Sequence, residues 1–264
     1  MNVLLEIVAD TRAAVMRRAQ AVPLPALVEA GEQRRAGPDA FRDFRAALAA
    51  PGISLIAEHK RSSPSAGVIR ADLELEDVVL AYERAGASTL SVLTEESRFG
   101  GSLDDLSAAR RVSSLPILRK DFIVEEYQIH EAVAGGADAI LLIVAALDTG
   151  TLIRLHSLAT QLGLATLVEV HDAIELDAAH EIGADIVGIN NRDLTTLAVD
   201  VERTYELLPE IRQGTLVVAE SGFREHSQLE RLERAGVDAV LVGEALMRAP
   251  DIEAATASLL GSNT

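Results

Sequence analysis

The chain has 264 residues, with 41 acidic side chains against 24 basic ones, and it contains no cysteine. The absence of cysteine excludes disulfides, thiolate metal sites and cysteine nucleophiles. The formal net charge of -17 comes with no basic stripe, which argues against nucleic acid as a partner and is typical of a solvated acidic surface. The length fits one α/β barrel, which commonly needs about 250 residues.

The N-terminal sequence MNVLLEIVADTRAAVMRRAQ carries acidic residues early and has no long apolar core, so it is not typical of a signal peptide. No apolar run in the sequence is long enough to cross a bilayer. We therefore expect no membrane partner and a cytoplasmic protein.

The first fifty residues are predicted to be helical. The stretch AVPLPAL (21–27) predicts a break, and GPDAFRDFRAALAA (37–50) predicts a second helical piece. The apolar spacing of Phe41, Phe44 and Leu48 favours packing over the barrel, with one mouth as a candidate position, against the alternative of a flexible leader. We expect 1–50 to form an N-terminal helical extension and 51–264 a catalytic barrel, within one domain overall.

From Ser54 onward, short apolar runs alternate with amphipathic helical runs. This alternation predicts a parallel sheet covered by helices, and eight such units close into a (β/α)8 TIM barrel. A doubly wound open sheet is the alternative, which the lack of GxGxxG after the first strand disfavours. The predicted strands are SLIAEHK, STLSVLT, PILRKD, AILLIV, ATLVEV, IVGINN, LVVAES and AVLVGE.

Charged and amide side chains stand at the carboxyl ends of the first, third, fifth and sixth predicted strands. A buried charge costs several kcal/mol unless it is paired or used. For any single residue, a solvated edge or a structural ion pair is the simpler interpretation. As a group they favour an active site, because the carboxyl ends converge on one mouth of a barrel. The group is Glu58, Lys60, Lys120, Glu169, Asn190 and Arg192.

Glycine turns follow the seventh and eighth predicted strands, in AESGF and LVGEALM. Loops at these positions often bind phosphate through backbone N–H groups in barrels, and Gly222 and Gly243 permit a close approach. Ser221 can add a hydroxyl donor. The carboxylate of Glu244 should point away from a phosphate dianion if the backbone there binds one.

The loops after the first and second predicted strands also contain candidate functional residues, whereas the histidines do not indicate a metal site. HKRSSPSAGVIRADLE (59–74) is long enough to indicate a functional loop after the first strand. Phe99, after the second strand, is a candidate to stack on a substrate ring, with a loop anchor as an equal alternative. The six histidines form no metal-binding pattern, and no residue set indicates a Ser-His-Asp nucleophile. We predict no metal.

Seven motifs, in this order along the chain, resemble the indole-3-glycerol phosphate synthase family. The resemblance implies a (β/α)8 enzyme of tryptophan biosynthesis that converts 1-(2-carboxyphenylamino)-1-deoxyribulose 5-phosphate to indole-3-glycerol phosphate, with release of CO2 and water. It also implies that neither a metal nor an organic cofactor is needed. The motifs are IAEHKRSSPSAG, LSVLTEESRFGGSLDDL, ILRKDFIVEEYQIHEAVAGGADAILLI, LVEVHD, GINNRDL, AESGF and LVGEALM.

The resemblance implies a role for each catalytic candidate. Lys120 matches the general acid that protonates the substrate carbonyl, and Glu169 matches the carboxylate that stabilises the positive charge of the condensing intermediate. Lys60 matches a lysine that binds phosphate and takes part in later proton transfer, and Glu58 matches a carboxylate that assists dehydration. The implied catalytic set is Glu58, Lys60, Lys120, Glu169, Asn190 and Ser221.

The same resemblance implies the binding residues. Arg192 is expected near the anthranilate carboxylate. The apolar residues expected around the anthranilate ring are Phe99, Phe122, Leu141 and Leu194. The implied substrate-binding set is Ser63, Phe99, Phe122, Leu141, Arg192, Leu194 and Glu220, and the implied phosphate-binding set is Lys60, Gly222, Gly243 and Glu244.

The sequence also departs from the family pattern. Ala66 replaces the lysine of the usual Ser-Pro-Ser-Lys-Gly motif, Glu244 stands where some members have serine, and His59 replaces an apolar or aromatic residue. Phosphoribosylanthranilate isomerase, the alternative enzyme, needs a cysteine that this chain lacks. A non-catalytic barrel would be expected to have lost Lys120 or Glu169. The chain ends soon after the eighth unit, so we expect a monofunctional enzyme. We also expect a monomer whose partner is a small phosphorylated substrate.

Overall fold

The computed structural model describes residues 3–37, 40–70, 72–194 and 196–262. Eight parallel strands form a closed barrel in which each strand pairs with the next, and the eighth pairs with the first. This confirms the predicted (β/α)8 TIM barrel and excludes the open sheet. The strands, numbered β1 to β8, are Ser54–His59, Thr89–Leu93, Ile117–Lys120, Ala139–Ile143, Ala165–Val170, Ile186–Asn190, Leu216–Glu220 and Ala239–Val242.

Helices precede the barrel, follow its strands and cover its outer face. None of those in the described part of the chain is both long and apolar enough to cross a membrane. A small hairpin of Ser62–Ser63 and Gly67–Val68 lies in the loop after β1. The helices are α1 (Val3–Ala21), α2 (Leu24–Ala36), α3 (Phe44–Leu48), α4 (Leu75–Arg84), α5 (Leu103–Val112), α6 (Glu126–Gly135), α7 (Thr149–Leu162), α8 (Ala173–Glu181), α9 (Glu202–Leu207), α10 (His226–Ala235), α11 (Glu244–Met247) and α12 (Ile252–Leu259).

The strands are buried on both faces because helices cover the outside and side chains fill the inside. In β1, Leu55 and Ala57 pack outward against the helices, whereas Ile56 belongs to the inner core. Side chains two residues apart share a face of a strand, so Glu58 continues the inner row and reaches the mouth. Because side chains alternate along the buried strand, the carboxylate of Glu58 lies inside the barrel at its mouth.

The amino-terminal helices contact the barrel at both ends. In α1, Val3, Leu4 and Ile7 line a cavity at the carboxyl ends of the strands. In α3, Phe44 and Leu48 are buried with the inner core that includes the first residues of β6, β7 and β8. The predicted break at 21–27 is where α1 ends and Pro23 precedes α2.

Polar contacts fix these helices to the barrel. Arg34 in α2 donates to Asp138 at 2.7 Å, and Ser54 at the start of β1 donates from Oγ to the Ala47 carbonyl at 3.0 Å. Of the helical piece predicted over 37–50, residues 44–48 are helical, and residues 38 and 39 lie outside the described residues. Residue 71 of the predicted long loop also lies outside them.

Candidate active site

A cavity of about 500 Å³ opens at the carboxyl ends of the strands. Every residue that the sequence placed in the catalytic, substrate-binding or phosphate-binding sets lines it, whereas His59 and Ala66 do not. The geometry therefore brings the predicted residues together. Their individual roles remain predictions.

Lys120 ends β3 and holds two carboxylates in the cavity. Its Nζ lies 3.1 Å from Glu169 Oε2 and 3.3 Å from Glu220 Oε2. Burial alone would lower the pKa of Lys120, but the negative charges of Glu169, Glu220 and Glu58 outweigh it and raise that pKa above its ordinary value. Lys120 is therefore an ammonium at neutral pH, the form that can donate a proton.

Glu58 and Lys60 form a second pair beside the first. Lys60 Nζ lies 2.8 Å from Glu58 Oε1, and Ser91 Oγ donates to Glu58 Oε2 at 3.4 Å. Burial favours the neutral acid, but the charges of Lys60 and Lys120 outweigh it and hold the pKa of Glu58 below its usual range. Gly243 lies so close that a Cβ there would be 2.5 Å from Glu58 Oε1. The glycine thus makes room for the carboxylate.

A chain of hydrogen bonds orients Glu169. Asn190 Nδ2 donates to Glu169 Oε1 at 3.1 Å, and Asn190 Oδ1 accepts from Ser221 Oγ at 3.0 Å and from the Arg192 amide at 3.0 Å. Ser221 follows β7 in the left-handed region, with a φ of 65°. This conformation, uncommon for a residue with a side chain, marks the turn at the mouth as strained.

His171 supports Glu169 from behind. Its Nε2 lies 3.4 Å from Glu169 Oε1, and its Nδ1 lies 2.9 Å from Glu175 Oε2. Burial opposes a charge on both residues, yet the pKa of His171 is raised by Glu175 and Glu169, and the pKa of Glu169 is lowered by Lys120 and His171. His171 was absent from the predicted site residues, although its position directly after β5, two residues from Glu169, was a usable signal.

Glu220 is the exception among the buried carboxyls. Burial raises its pKa to about 7, a shift that Lys120 opposes and Glu169 reinforces. Its Oε1 packs against Gly188 and is buried without a hydrogen-bond partner among the described residues. A carboxyl of this kind is poised between its neutral and charged forms near neutral pH.

Apolar side chains form the walls of the cavity. The rings of Phe99 and Phe122 have centroids 6.3 Å apart, and Leu141 and Leu194 line the same space. The α1 residues Val3, Leu4 and Ile7 were absent from the predicted set. The packing of the N-terminal extension was predicted from Phe41, Phe44 and Leu48, whereas the structure shows that α1 supplies the residues at the mouth.

The turns after β7 and β8 supply the glycines expected at a phosphate. Gly222 has a φ of 99°, and a Cβ there would lie 2.7 Å from Val201 Cγ1. Glu244 accepts a hydrogen bond from Arg248 Nε at 3.0 Å, so its carboxylate is compensated within the turn. Among the residues described, no three histidine, aspartate or glutamate side chains are grouped so as to hold a metal ion.

A closed barrel whose carboxyl-end cavity holds two lysines among three buried glutamates defines an enzyme of the general acid–base class. A family model described as indole-3-glycerol phosphate synthase matches residues 4–259. The chain belongs to the indole-3-glycerol phosphate synthase family, lyases of tryptophan biosynthesis.

Relatives and solved structures agree with this membership. The chain is 47% identical to an indole-3-glycerol phosphate synthase of Sulfurimonas denitrificans, over 99% of this chain and 100% of that one. It is 49% identical to the one from Mycobacterium avium, over 84% and 82% of the two chains. The 3-hexulose-6-phosphate synthase of Salmonella typhimurium matches with a TM-score of 0.62 and 15% identity, over 80% of this chain and 100% of that one, which shows the fold alone.

Proposed function

We propose that Lys120, Glu169, Lys60 and Glu58 carry out the ring closure of 1-(2-carboxyphenylamino)-1-deoxyribulose 5-phosphate to indole-3-glycerol phosphate, CO2 and water. The observation that supports this assignment most directly is Lys120, an ammonium held between Glu169 and Glu220 at the carboxyl end of β3. An acid fixed by two carboxylates inside a barrel is pre-organised to deliver a proton to a carbonyl oxygen.

In the first step, the ring carbon that bears the carboxylate attacks the ketone carbon of the sugar chain. A carbon–carbon bond forms, and the ketone oxygen takes a proton from Lys120 to become a hydroxyl. The ring and its nitrogen carry the resulting positive charge, which Glu169 stabilises from the cavity wall. Loss of CO2 then returns the electron pair of the broken bond to the ring and restores aromaticity.

In the second step, the new hydroxyl leaves as water and a double bond forms in the five-membered ring. We assign the proton for the leaving hydroxyl to Lys60, and we assign to Glu58 the removal of a proton from the neighbouring ring CH2. The Lys60–Glu58 distance of 2.8 Å supports the assignment of these two groups to the same stage. Two lysine–carboxylate pairs thus serve two proton-transfer stages.

Binding is assigned to groups around these two pairs. Asn190 and Arg192 orient the substrate carboxylate, which must not be over-stabilised because it leaves as CO2. Phe99 and Phe122 enclose the aromatic ring together with the leucines of the wall. The phosphate, held by the turns after β7 and β8, supplies binding energy remote from the reacting atoms.

We also propose that the enzyme works as a monomer in the cytoplasm. The proposed acid–base groups, Lys120 with Glu169 and Lys60 with Glu58, pair within one chain, which supports a monomer as the working unit. A substrate that carries a carboxylate and a phosphate would not cross a membrane unaided, which supports an enzyme that works in the same compartment as its substrate, the cytoplasm. A single-chain mass in sedimentation equilibrium would support the monomer, and a stable dimer would contradict it.

The activity can be tested by fluorescence, because the chain has no tryptophan and its background is low. Purified protein is mixed with the carboxyphenylamino-deoxyribulose phosphate in chelator, and growth of indole emission is followed. Emission growth would support the proposed ring closure and its independence of a removable metal. Tight binding without emission would indicate a cavity that holds the substrate but does not carry out the chemistry.

A further inference from the structure

The turn between β3 and α6 shows what this type of loop needs. Gln128 Oε1 accepts the amide of Val124 at 2.8 Å and the amide of Glu125 at 3.1 Å. The Glu125 side chain completes a reciprocal cap at the start of α6, and Ile123 is buried between the helix and the barrel. The turn is therefore held by its cap and by one apolar side chain.

The turn between β7 and α10 repeats this arrangement one hundred residues later. Gln228 Oε1 accepts the amide of Arg224 at 2.8 Å and the amide of Glu225 at 3.0 Å. The Glu225 side chain caps α10 in the same way, and Phe223 is buried where Ile123 is buried in the first turn. The two loops thus share one structural design.

The two turns differ at the residue that precedes the cap. Val124 is buried in the inner core with residues of α1, whereas Arg224 is exposed and lines the active-site cavity. Since a valine forms the same cap, the turn does not require an arginine. The amide of Arg224 is already used by Gln228, so the only hydrogen-bond donors that the residue can offer the cavity are those of its side chain.

The ion pairs in the cavity also indicate that the side chain of Arg224 is available to a ligand. Each lining carboxylate has a cationic partner within the described residues, so the charges of Lys60 and Lys120 are already matched. The lining cations for which that part of the chain shows no ion pair are Arg192 and Arg224. The carboxylate pairs are Glu58 with Lys60, Asp121 with Arg119, Glu169 and Glu220 with Lys120, and Glu244 with Arg248.

We propose that Arg224 is a phosphate-binding residue whose side chain neutralises the substrate phosphate beside Gly222. The inference rests on the proposed function, whose substrate carries two anionic groups against two unmatched cations. Arg192 follows β6 beside Asn190 and matches the carboxylate. Arg224 follows β7 beyond Gly222 and matches the phosphate, which carries a charge of about −1.5 to −2 near neutral pH. A guanidinium suits phosphate because it donates two parallel hydrogen bonds.

The test compares Arg224→Gln with the wild type in the fluorescence assay. We expect KM to rise about 10- to 100-fold, in line with the loss of a charge-assisted hydrogen bond, and kcat to change less than about threefold, because the reacting atoms are remote. Arg224→Lys should fall between the two, since a lysine keeps the charge but loses the fork. Arg111→Gln, which removes an exposed charge from α5, is the matched control and should behave as the wild type.

Inorganic phosphate gives a second readout that does not depend on turnover. Its dissociation constant, measured by calorimetry, should rise in Arg224→Gln and not in Arg111→Gln. An unchanged KM together with unchanged phosphate affinity would overturn the proposal, as would a wild type that binds no phosphate. A wild type that binds phosphate but makes no indole would contradict the proposed function alone, and the affinity ratio would still decide the role of Arg224.

Discussion

Arg119 and Lys120 are neighbours in β3, but the alternation of the strand sends them into two different buried charge clusters. Arg119 points outward, between the barrel and its helices, and is fully buried. Lys120 points inward, to the cavity. Each cation has two carboxylate partners, so the two clusters can be compared residue by residue.

The outer cluster satisfies its arginine on every side. Arg119 donates to Thr94 Oγ1 at 3.0 Å, to the Gln128 carbonyl at 2.7 Å, to Asp121 Oδ2 at 2.8 Å and to Glu131 Oε2 at 3.2 Å. A buried charge with this many partners is a structural feature, because removing it leaves Asp121 buried without its cation. The cluster therefore serves to hold the strand and its helix in place.

The outer cluster also fixes the helix that covers the mouth. Arg18 of α1 donates to both oxygens of Glu131, at 2.6 Å and 3.0 Å. The carboxylate of Glu131 thus lies between an arginine of the barrel and an arginine of the N-terminal helix. Through this bridge, the helix whose first residues line the cavity is tied to the strand that carries Lys120.

The inner cluster is incomplete by comparison. Glu220 Oε1 has no hydrogen-bond partner among the described residues, and the cluster faces an open cavity. A buried polar group without a partner is costly, and such groups are kept where a substrate can use them. The difference teaches that the satisfaction of buried charges, rather than their burial, separates the structural cluster from the one that we propose is reactive.

Lys120→Met should produce the largest effect, on activity. Loss of the acid is expected to lower kcat by about 10²- to 10⁴-fold in the fluorescence assay. The free energy of unfolding should change less than in a variant that removes Arg119, because Glu220 can take up a proton and water can reach the cavity. Turnover near that of the wild type would remove Lys120 from the acid role.

Arg119→Met should instead affect stability more than turnover. The substitution leaves Asp121 buried without a cation and Glu131 paired with Arg18 alone, so we expect the free energy of unfolding to fall by about 3–5 kcal/mol in urea denaturation. Arg111→Met, on the exposed face of α5, is the control and should stay within about 0.5 kcal/mol of the wild type. If Lys120→Met and Arg119→Met destabilised the protein equally, the distinction between the clusters would fail.

The strands and their charged ends could be predicted from the sequence because both are local. The run ATLVEV coincides with β5, and the inward row of β1 follows from alternation alone. The partners could not be predicted, because the contact of Lys120 with Glu220 depends on how the barrel closes. The buried ion pairs of Arg119 could not be predicted for the same reason. A charge inside a strand shows that a partner exists, but the partner on α6 is set by packing.

Gly243→Ala tests how finely the inner cluster is positioned. A Cβ at residue 243 would lie 2.5 Å from Glu58 Oε1 and 2.9 Å from Glu58 Cβ, so the Glu58–Lys60 pair must shift. We expect turnover to fall about 10- to 100-fold, because small misplacements of catalytic groups are costly. Gly150→Ala, at the start of α7 outside the cavity, should leave turnover unchanged. Equal turnover in both variants would show that the second pair tolerates displacement.

Glu220→Gln should produce the smallest effect, a change in how stability depends on pH. Burial raises the pKa of Glu220 to about 7 in the folded protein, above the value of about 4.3 expected in the unfolded chain. The folded state therefore binds the proton more tightly, and this contribution to stability is complete below the unfolded pKa and lost as pH rises through about 7.

Glutamine resembles the neutral acid and does not titrate, so the variant should escape this loss. Between about pH 5 and pH 8, the wild type should lose on the order of 1–3 kcal/mol of unfolding free energy relative to Glu220→Gln. Urea denaturation of both proteins across this range measures the difference. Glu58 and Glu169, whose pKa values are lowered, titrate below this window in both proteins. Parallel stability curves would mean that Glu220 is charged throughout, and the inner cluster would then hold three carboxylates against two lysines.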